Sequence, residues 1–214
     1  PLFLAVGPMI DALVAGNRIM IKMSEAAPQF AQTFAETISR YFSPDMVSVV
    51  IGEVEIAEAF SKLPFDHLLY TGSTAVGKKV MAAAAPNLTP VTLELGGKSP
   101  VVVLEGANLE NAVNRVMMGK TLNAGQTCIA PDYVLVQRQY HEEFTRLAKE
   151  WMEKHYPNIA DNPDYSHIIN GEQFKRVKGY LDDLEEDHIH QLTDADADHD
   201  SRLMPPVIVK EPAP

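Results

Sequence analysis

His67-Leu68-Leu69-Tyr70-Thr71-Gly72-Ser73-Thr74-Ala75-Val76-Gly77-Lys78-Lys79-Val80 decides the fold. The first four residues read as a short strand, and Val76 and Val80 repeat at helical spacing. A strand therefore turns into a helix across Thr71-Gly72-Ser73. The helix runs on through the alanines to Ala85, where Pro86 is expected to stop it, and Val91-Thr92-Leu93 makes the next strand. Strands that alternate with helices imply parallel pairing, with the crossing helices burying the sheet.

The same alternation extends upstream. Val6, Met9, Ile10, Leu13 and Val14 lie at helical spacing before Gly16-Asn17, and Arg18 to Lys22 reads as a strand. Pro28 opens a helix with Phe30, Phe34 and Ile38 on one face, Met46 to Ile51 is a β-branched strand, and Glu53 to Lys62 is a helix. Downstream, a strand is expected from Pro100 to Leu104, a helix from Leu109 to Leu122, a strand from Tyr133 to Val136 and a helix from His141 to Tyr156. Gly96-Gly97 is the best boundary, because glycine permits backbone shapes that other residues resist. It divides the chain into 1–95, an open parallel α/β sheet, and 96–214. The acidic, histidine-dotted stretch from Asp182 to Asp200 reads as surface.

With 214 residues, 46% apolar and 22% charged, the chain can bury a core of one large domain or two small ones. A net charge of −11 argues against nucleic acid, which needs a basic face. No apolar run approaches bilayer length, so no membrane partner is expected. Cys128 is the sole cysteine, which fits a reducing compartment and points to the cytoplasm. The start, Pro1 to Pro8, lacks a basic leader region, and Glu211-Pro212-Ala213-Pro214 resolves into no element, so the chain is expected to be a piece of something longer.

Three constellations carry chemistry. At the carboxyl end of a parallel strand, Gly72 to Gly77 sits where ligands bind open α/β sheets, and a helix amino terminus offers unpaired N–H groups to phosphate. The stretch nearly matches the phosphate-loop pattern, but Lys79 replaces the hydroxyl residue that would hold magnesium, which disfavours a nucleoside triphosphatase. An ordinary helix start capped by Ser73 or Thr74 explains it equally well. Lys22-Met23-Ser24-Glu25 follows the first strand, where a lysine and a glutamate can bracket a ribose, and a glutamate there would repel a 2′-phosphate. A solvated loop is the plainer reading. The third is Glu94-Leu95-Gly96-Gly97-Lys98 with Gly125-Gln126-Thr127-Cys128, a carboxylate and a lone thiol suggesting base and nucleophile, although a single cysteine is most often a small buried hydrophobe and a glutamate a solvated charge. Asp194, Asp196, Asp198 and Asp200 alternate like the opening of a calcium loop, yet the sixth-position glycine is missing and Pro205 stands at the twelfth, so no metal is expected.

Taken together, Ala15-Gly16-Asn17, Lys22-Met23-Ser24-Glu25, Thr71 to Gly77, Leu93 to Pro100 and Asn123 to Cys128 resemble the aldehyde dehydrogenase superfamily in order and spacing. Ala130-Pro131-Asp132-Tyr133 is similar to its class 3 branch, which handles aromatic and fatty aldehydes, and to the bacterial coniferyl aldehyde dehydrogenases within it. The resemblance fades after about Ser166. It implies a dinucleotide-binding domain over 1–95 and part of an α/β catalytic domain over 96–214.

In that family Cys128 would attack the aldehyde and Glu94 would activate the water that releases the acid. Lys22 and Glu25 would hold the adenosine ribose and Ser73 the pyrophosphate, Gly72 and Gly77 would allow close backbone approach, and Thr74, Ala75 and Val76 would complete the cofactor-binding turn. NAD is the expected cofactor, with NADP open, and a homodimeric parent is implied. Two departures stand out. The family's Pro-Trp-Asn lies ahead of the start, and losing such an oxyanion donor costs about a hundred- to a thousandfold in rate. The Glu-Ile-Phe-Gly-Pro block and the assembly hairpin lie beyond the end, so the segment alone is expected to be impaired. Met23 replaces a customary proline. The competing readings are a coenzyme A-acylating relative, which needs no hydrolytic base at Glu94, and a nucleotide-binding module without turnover.

Overall fold

The computed structural model describes residues 2–210; the Pro1 and Glu211 to Pro214 ends discussed above lie outside them. The chain divides into two compact units, Pro1–Leu95 and Gly96–Pro214.

The first unit runs α1 (Leu2–Val14), β1 (Ile19–Lys22), α2 (Pro28–Tyr41), β2 (Val47–Val50), α3 (Val54–Phe60), β3 (Leu68–Thr71), α4 (Thr74–Ala84) and β4 (Val91–Glu94). The pairing is parallel, as alternation requires, with β1 on β2 and β3 on β4. Among the described residues the ladders form two-stranded pairs, where one continuous sheet was the simplest expectation. Met9, Met23, Ala31, Phe34, Ile38 and Val47 make the core, with Phe30 packed against it. The α2 face is thus the one its spacing predicts. Gly16, at φ +82°, ends α1, and both the backbone and side-chain N–H groups of Asn17 return to the Ala12 carbonyl. Pro86 does not stop α4 abruptly but enters a 3₁₀ turn over Ala85–Asn87.

The second unit runs β5 (Ser99–Val103), α5 (Leu109–Thr121), β6 (Pro131–Val136), α6 (His141–His155), α7 (Gly171–Asp182), β7 (Ile189–Gln191) and β8 (Val207–Val209). β5 and β6 pair in parallel, and the register slips so that Asp132 is the extra residue opposite Ser99 and Pro100. Val113, Val116 and Met117 of α5 meet Phe144, Ala148 and Met152 of α6 in the core, joined by Ile159, Tyr165, Leu192 and Leu203.

The surface reading of Asp182 to Asp200 needs correction. Ile189–Gln191 forms β7, antiparallel to β8, and Leu192 is fully buried. Two apolar side chains among many charges were enough to fix a strand, because one partner strand satisfies its backbone while Leu192 fills the core. The Asp198 carboxylate accepts from the Ser201 amide and hydroxyl and closes a turn. No helix among the described residues is long and apolar enough to cross a membrane.

Candidate functional site

In the first unit the candidate residues stand at strand ends. Lys22 closes β1, and its ammonium lies 2.9 Å from the Glu25 carboxylate. The Lys22 side chain is 9% exposed and that of Glu25 43%, so the stem is sheltered while the carboxylate faces water. Hydrogen bonding to Lys22 holds the Glu25 carboxyl below its ordinary range. Between them, Met23 donates its backbone N–H to the Val50 carbonyl at 3.0 Å and buries its side chain in the core. A proline could not make that bond. The unusual residue lengthens the β1–β2 pairing by one rung and leaves the Lys22–Glu25 pair in place.

At the end of β3, Ser73 caps α4: its hydroxyl accepts from the Val76 amide at 3.3 Å, and its carbonyl from the Gly77 amide at 2.8 Å. Of the two caps the sequence allowed, Ser73 is the one used. Thr74, Ala75 and Val76 form the exposed first turn, presenting the positive end of the helix dipole. Gly72 donates to the Glu94 carbonyl at 3.0 Å. A Cβ on Gly72 would stand 2.2 Å from the Tyr70 hydroxyl, so the phenol lies over the turn. Burial pushes the Tyr70 phenol up, hydrogen bonding to Ser73 opposes this, and the Glu25 carboxylate adds to it.

Tyr70 thus joins Ser73 to the neighbourhood of Glu25, a role the sequence reading missed. Its position two residues before Gly72 was the available signal. Gly77 is buried, and a Cβ there would lie 2.8 Å from a Leu95 methyl. Its glycine serves close helix–strand packing. Glu94 ends β4, exposed and opposite Thr71 in the ladder.

In the second unit Cys128 is exposed on the loop between α5 and β6. Three successive residues before it are left-handed: Asn123 at φ +53°, Ala124 at +52° and Gly125 at +75°. Glycine adopts this shape freely and asparagine tolerates it, whereas alanine gives up about 1–2 kcal/mol. Such strain persists only where the surroundings over-determine it. Here they do. The Gln126 amide group donates to the Asn123 carbonyl at 2.9 Å and to the His167 carbonyl at 3.2 Å, and its oxygen accepts from the Ile169 amide at 3.0 Å. The Asn123 side chain answers by donating to the Gln126 carbonyl at 3.3 Å.

Gly97 approaches from the other side. A Cβ there would stand 2.3 Å from the Cys128 carbonyl oxygen, a collision with backbone that cannot swing away. After the loop, the bulged Asp132 takes Lys98 at 3.1 Å and Lys120 at 3.9 Å. The Lys120 stem lies under Gly125, and burial draws its ammonium down, with Asp132 opposing and Lys98 reinforcing.

The structure therefore assembles Lys22, Glu25, Tyr70 and Ser73 in one unit and Gly97, Gln126, Cys128 and Asp132 in the other. Among the described residues, Glu185, Asp187 and His188 bring ligand atoms within 4.8 Å of one another, but they are mostly exposed and lie on a different segment from the aspartates weighed in the sequence.

The model of the aldehyde dehydrogenase family matches residues 1–214. A probable coniferyl aldehyde dehydrogenase of Pseudomonas aeruginosa is 56% identical over 186 residues, covering 87% of this chain and 39% of that protein. The substrate-bound Staphylococcus aureus AldH structure superposes with a TM-score of 0.89 at 37% identity, covering 98% of this chain and 45% of that one. The Mycobacterium tuberculosis aldehyde dehydrogenase complexed with NAD+ gives 0.78 at 32% identity, over 90% of this chain and 41% of that one. The chain spans less than half the length of each of these relatives. On the family match and the blocks that carry it, the chain belongs to the aldehyde dehydrogenase family.

Proposed function

We propose that this chain carries the nucleophile, the hydrolytic base and most of the nucleotide site of an NAD(P)-dependent enzyme that oxidises an aromatic aldehyde, of the coniferyl type, to its acid. The observation that carries the reading is Cys128, exposed on a strained loop that Gln126 ties to residues 167–169 and Gly97 approaches closely.

An aldehyde carbon releases hydride readily only once it is tetrahedral. The Cys128 thiolate would form the C–S bond, and the carbonyl π pair would move to oxygen, giving a thiohemiacetal. The backbone N–H of Cys128 would donate to that oxygen. Nicotinamide, when bound, supplies the hydride acceptor. Reforming the C=O as hydride departs leaves a thioester on Cys128. Glu94 would take a proton from water as its oxygen attacks the thioester carbon, and breaking the C–S bond would return the thiolate and release the acid. A coenzyme A-acylating route would leave Glu94 without that task.

The dinucleotide suits the donor set of the first unit. The α4 amino terminus, capped by Ser73 and with its first turn exposed, favours pyrophosphate. Thr74, Ala75 and Val76 supply its first turn, and Gly77 lets α4 sit close to the strand behind it. Lys22 and Glu25 would bracket the adenosine ribose. The Glu25 carboxylate disfavours a 2′-phosphate, so NAD is expected over NADP. Similarity to the Pseudomonas relative and to the NAD+ complex supports the aldehyde class and the cofactor class. A cytoplasmic, homodimeric enzyme is the accompanying expectation.

The test is reduced-nicotinamide formation from coniferyl aldehyde by the full-length protein, with NAD and NADP in parallel and Cys128→Ser as control. Cysteine-dependent turnover, faster with NAD, is expected. Equal turnover by Cys128→Ser would refute the nucleophile, and turnover only with added coenzyme A would refute the hydrolytic half.

A further inference from the structure

We propose that Gln126 is the positioning residue of the cysteine loop. Its side-chain amide ties the left-handed turn Asn123-Ala124-Gly125 to residues 167–169 and so sets where the Cys128 sulfur stands. The inference rests on the reading of Cys128 as the nucleophile.

A primary amide has two N–H donors and an acceptor oxygen, and Gln126 uses both functions. Its nitrogen reaches the Asn123 carbonyl within the turn and the His167 carbonyl 41 residues on, while its oxygen takes the Ile169 amide. The backbone N–H of Gln126 also donates to the Asn123 carbonyl at 3.1 Å. One side chain thus closes the turn locally and fixes it to a distant segment.

That segment is itself firmly held. The Ile168 amide donates to the Arg202 carbonyl at 3.0 Å, the His167 ring hydrogen-bonds to the Ser201 carbonyl at 2.7 Å, and Ile168 is buried with Phe174 and Met204. Ala124 packs against the same cluster. The strained turn therefore has an anchor, and Gln126 is the polar link to it. Only Thr127 separates Gln126 from Cys128, and the Ala130 amide closes on the Thr127 carbonyl at 3.0 Å, so little slack remains between pin and sulfur.

Two substitutions separate this role from bulk stability. Gln126→Glu keeps the shape and the acceptor for Ile169 but loses both donors. Gln126→Met keeps the length and loses all three bonds. In the full-length protein, kcat per titratable Cys128 thiol should fall about a hundredfold in both, the scale of a misplacement of roughly 1 Å. The KM for NAD should stay within about twofold, because the residues proposed to hold it lie in the other unit. Alkylation of Cys128 by iodoacetamide, followed by intact mass, should stay within about threefold of wild type, since an exposed thiol needs no precise placement to meet a small reagent.

Wild-type kcat per thiol in either variant would overturn the proposal. Should the variants fail to fold, hydrogen exchange on the unaltered protein decides: the Ile169 amide should be protected at least about tenfold over a free peptide, and unprotected exchange would overturn it. Turnover by Cys128→Ser, by contrast, would remove the nucleophile while Ile169 protection stood, so the two failures are told apart.

Discussion

The turn at Gly72-Ser73 and the loop at Asn123 to Cys128 each present a short polar segment between regular elements, yet they are built differently. The first is local. Ser73 caps the helix it begins, Gly72 makes room for a side chain two residues back, and no residue between Thr71 and Val76 has a left-handed backbone. The second is held from afar. Ala124 sits beside Asn123 in a conformation that alanine resists, and the bonds that keep the turn there reach His167 and Ile169. A phosphate site needs only a rim of amides, which a helix start provides unaided. A nucleophile must meet one carbon at one angle, and that demands a frame.

The contrast is broken most severely at the sulfur. Cys128→Ser in the full-length protein should cut kcat by about 10⁴-fold or more while leaving NAD binding intact, as checked by turnover and by titration of bound cofactor. Next comes the frame. Gly97→Ala places a methyl 2.3 Å from the Cys128 carbonyl oxygen, so the loop backbone must move. A kcat loss of about a hundredfold with little change in the KM for NAD is expected from steady-state kinetics.

The local turn should answer in the opposite sense. In Gly72→Ala the new methyl meets the Tyr70 hydroxyl, the movable end of a side chain, which can swing out at the expense of its bond to Ser73. The KM for NAD should rise several-fold, about the worth of one hydrogen bond, with kcat per bound cofactor kept. If Gly72→Ala lowered kcat and Gly97→Ala raised the KM for NAD, the contrast would be reversed.

The smallest effect is electrostatic. The folded Glu25 carboxyl is depressed by Lys22, so the pair adds stability above the unfolded pKa and loses it as pH falls through the folded one. Because Glu25 is 43% exposed, water screens the pair, and it is worth well under about 1 kcal/mol. Urea melts should show Glu25→Gln flattening the acid limb of stability, below about pH 4, by no more than that amount.

The same division explains what was legible. Ser73 as cap, Pro28 as helix opener and the α2 face of Phe30, Phe34 and Ile38 follow from neighbours three or four residues apart, and local rules recover them. The recognised blocks named Cys128 and Glu94 but assigned nothing to Tyr70, Gln126 or Asp132. Those roles depend on partners brought close only by the fold: a phenol lying over a glycine, an amide reaching 43 residues ahead, a bulge turned toward Lys98. The Asp182 to Asp200 stretch failed for a related reason. Its charge count was read and its long-range pairing with Val207–Val209 could not be. Met23 went the other way: an oddity in the sequence became an ordinary ladder rung once its amide was seen to reach Val50.

The central claim is that Cys128 and Glu94 divide the reaction between them, one forming the acyl bond and the other supplying the water that breaks it. The most direct measurement is intact mass of full-length Glu94→Gln after mixing with coniferyl aldehyde and NAD. One reduced nicotinamide per chain, followed by a stall and an acyl adduct mapped to Cys128, is the predicted result. Continued turnover with no adduct on Cys128 would contradict it.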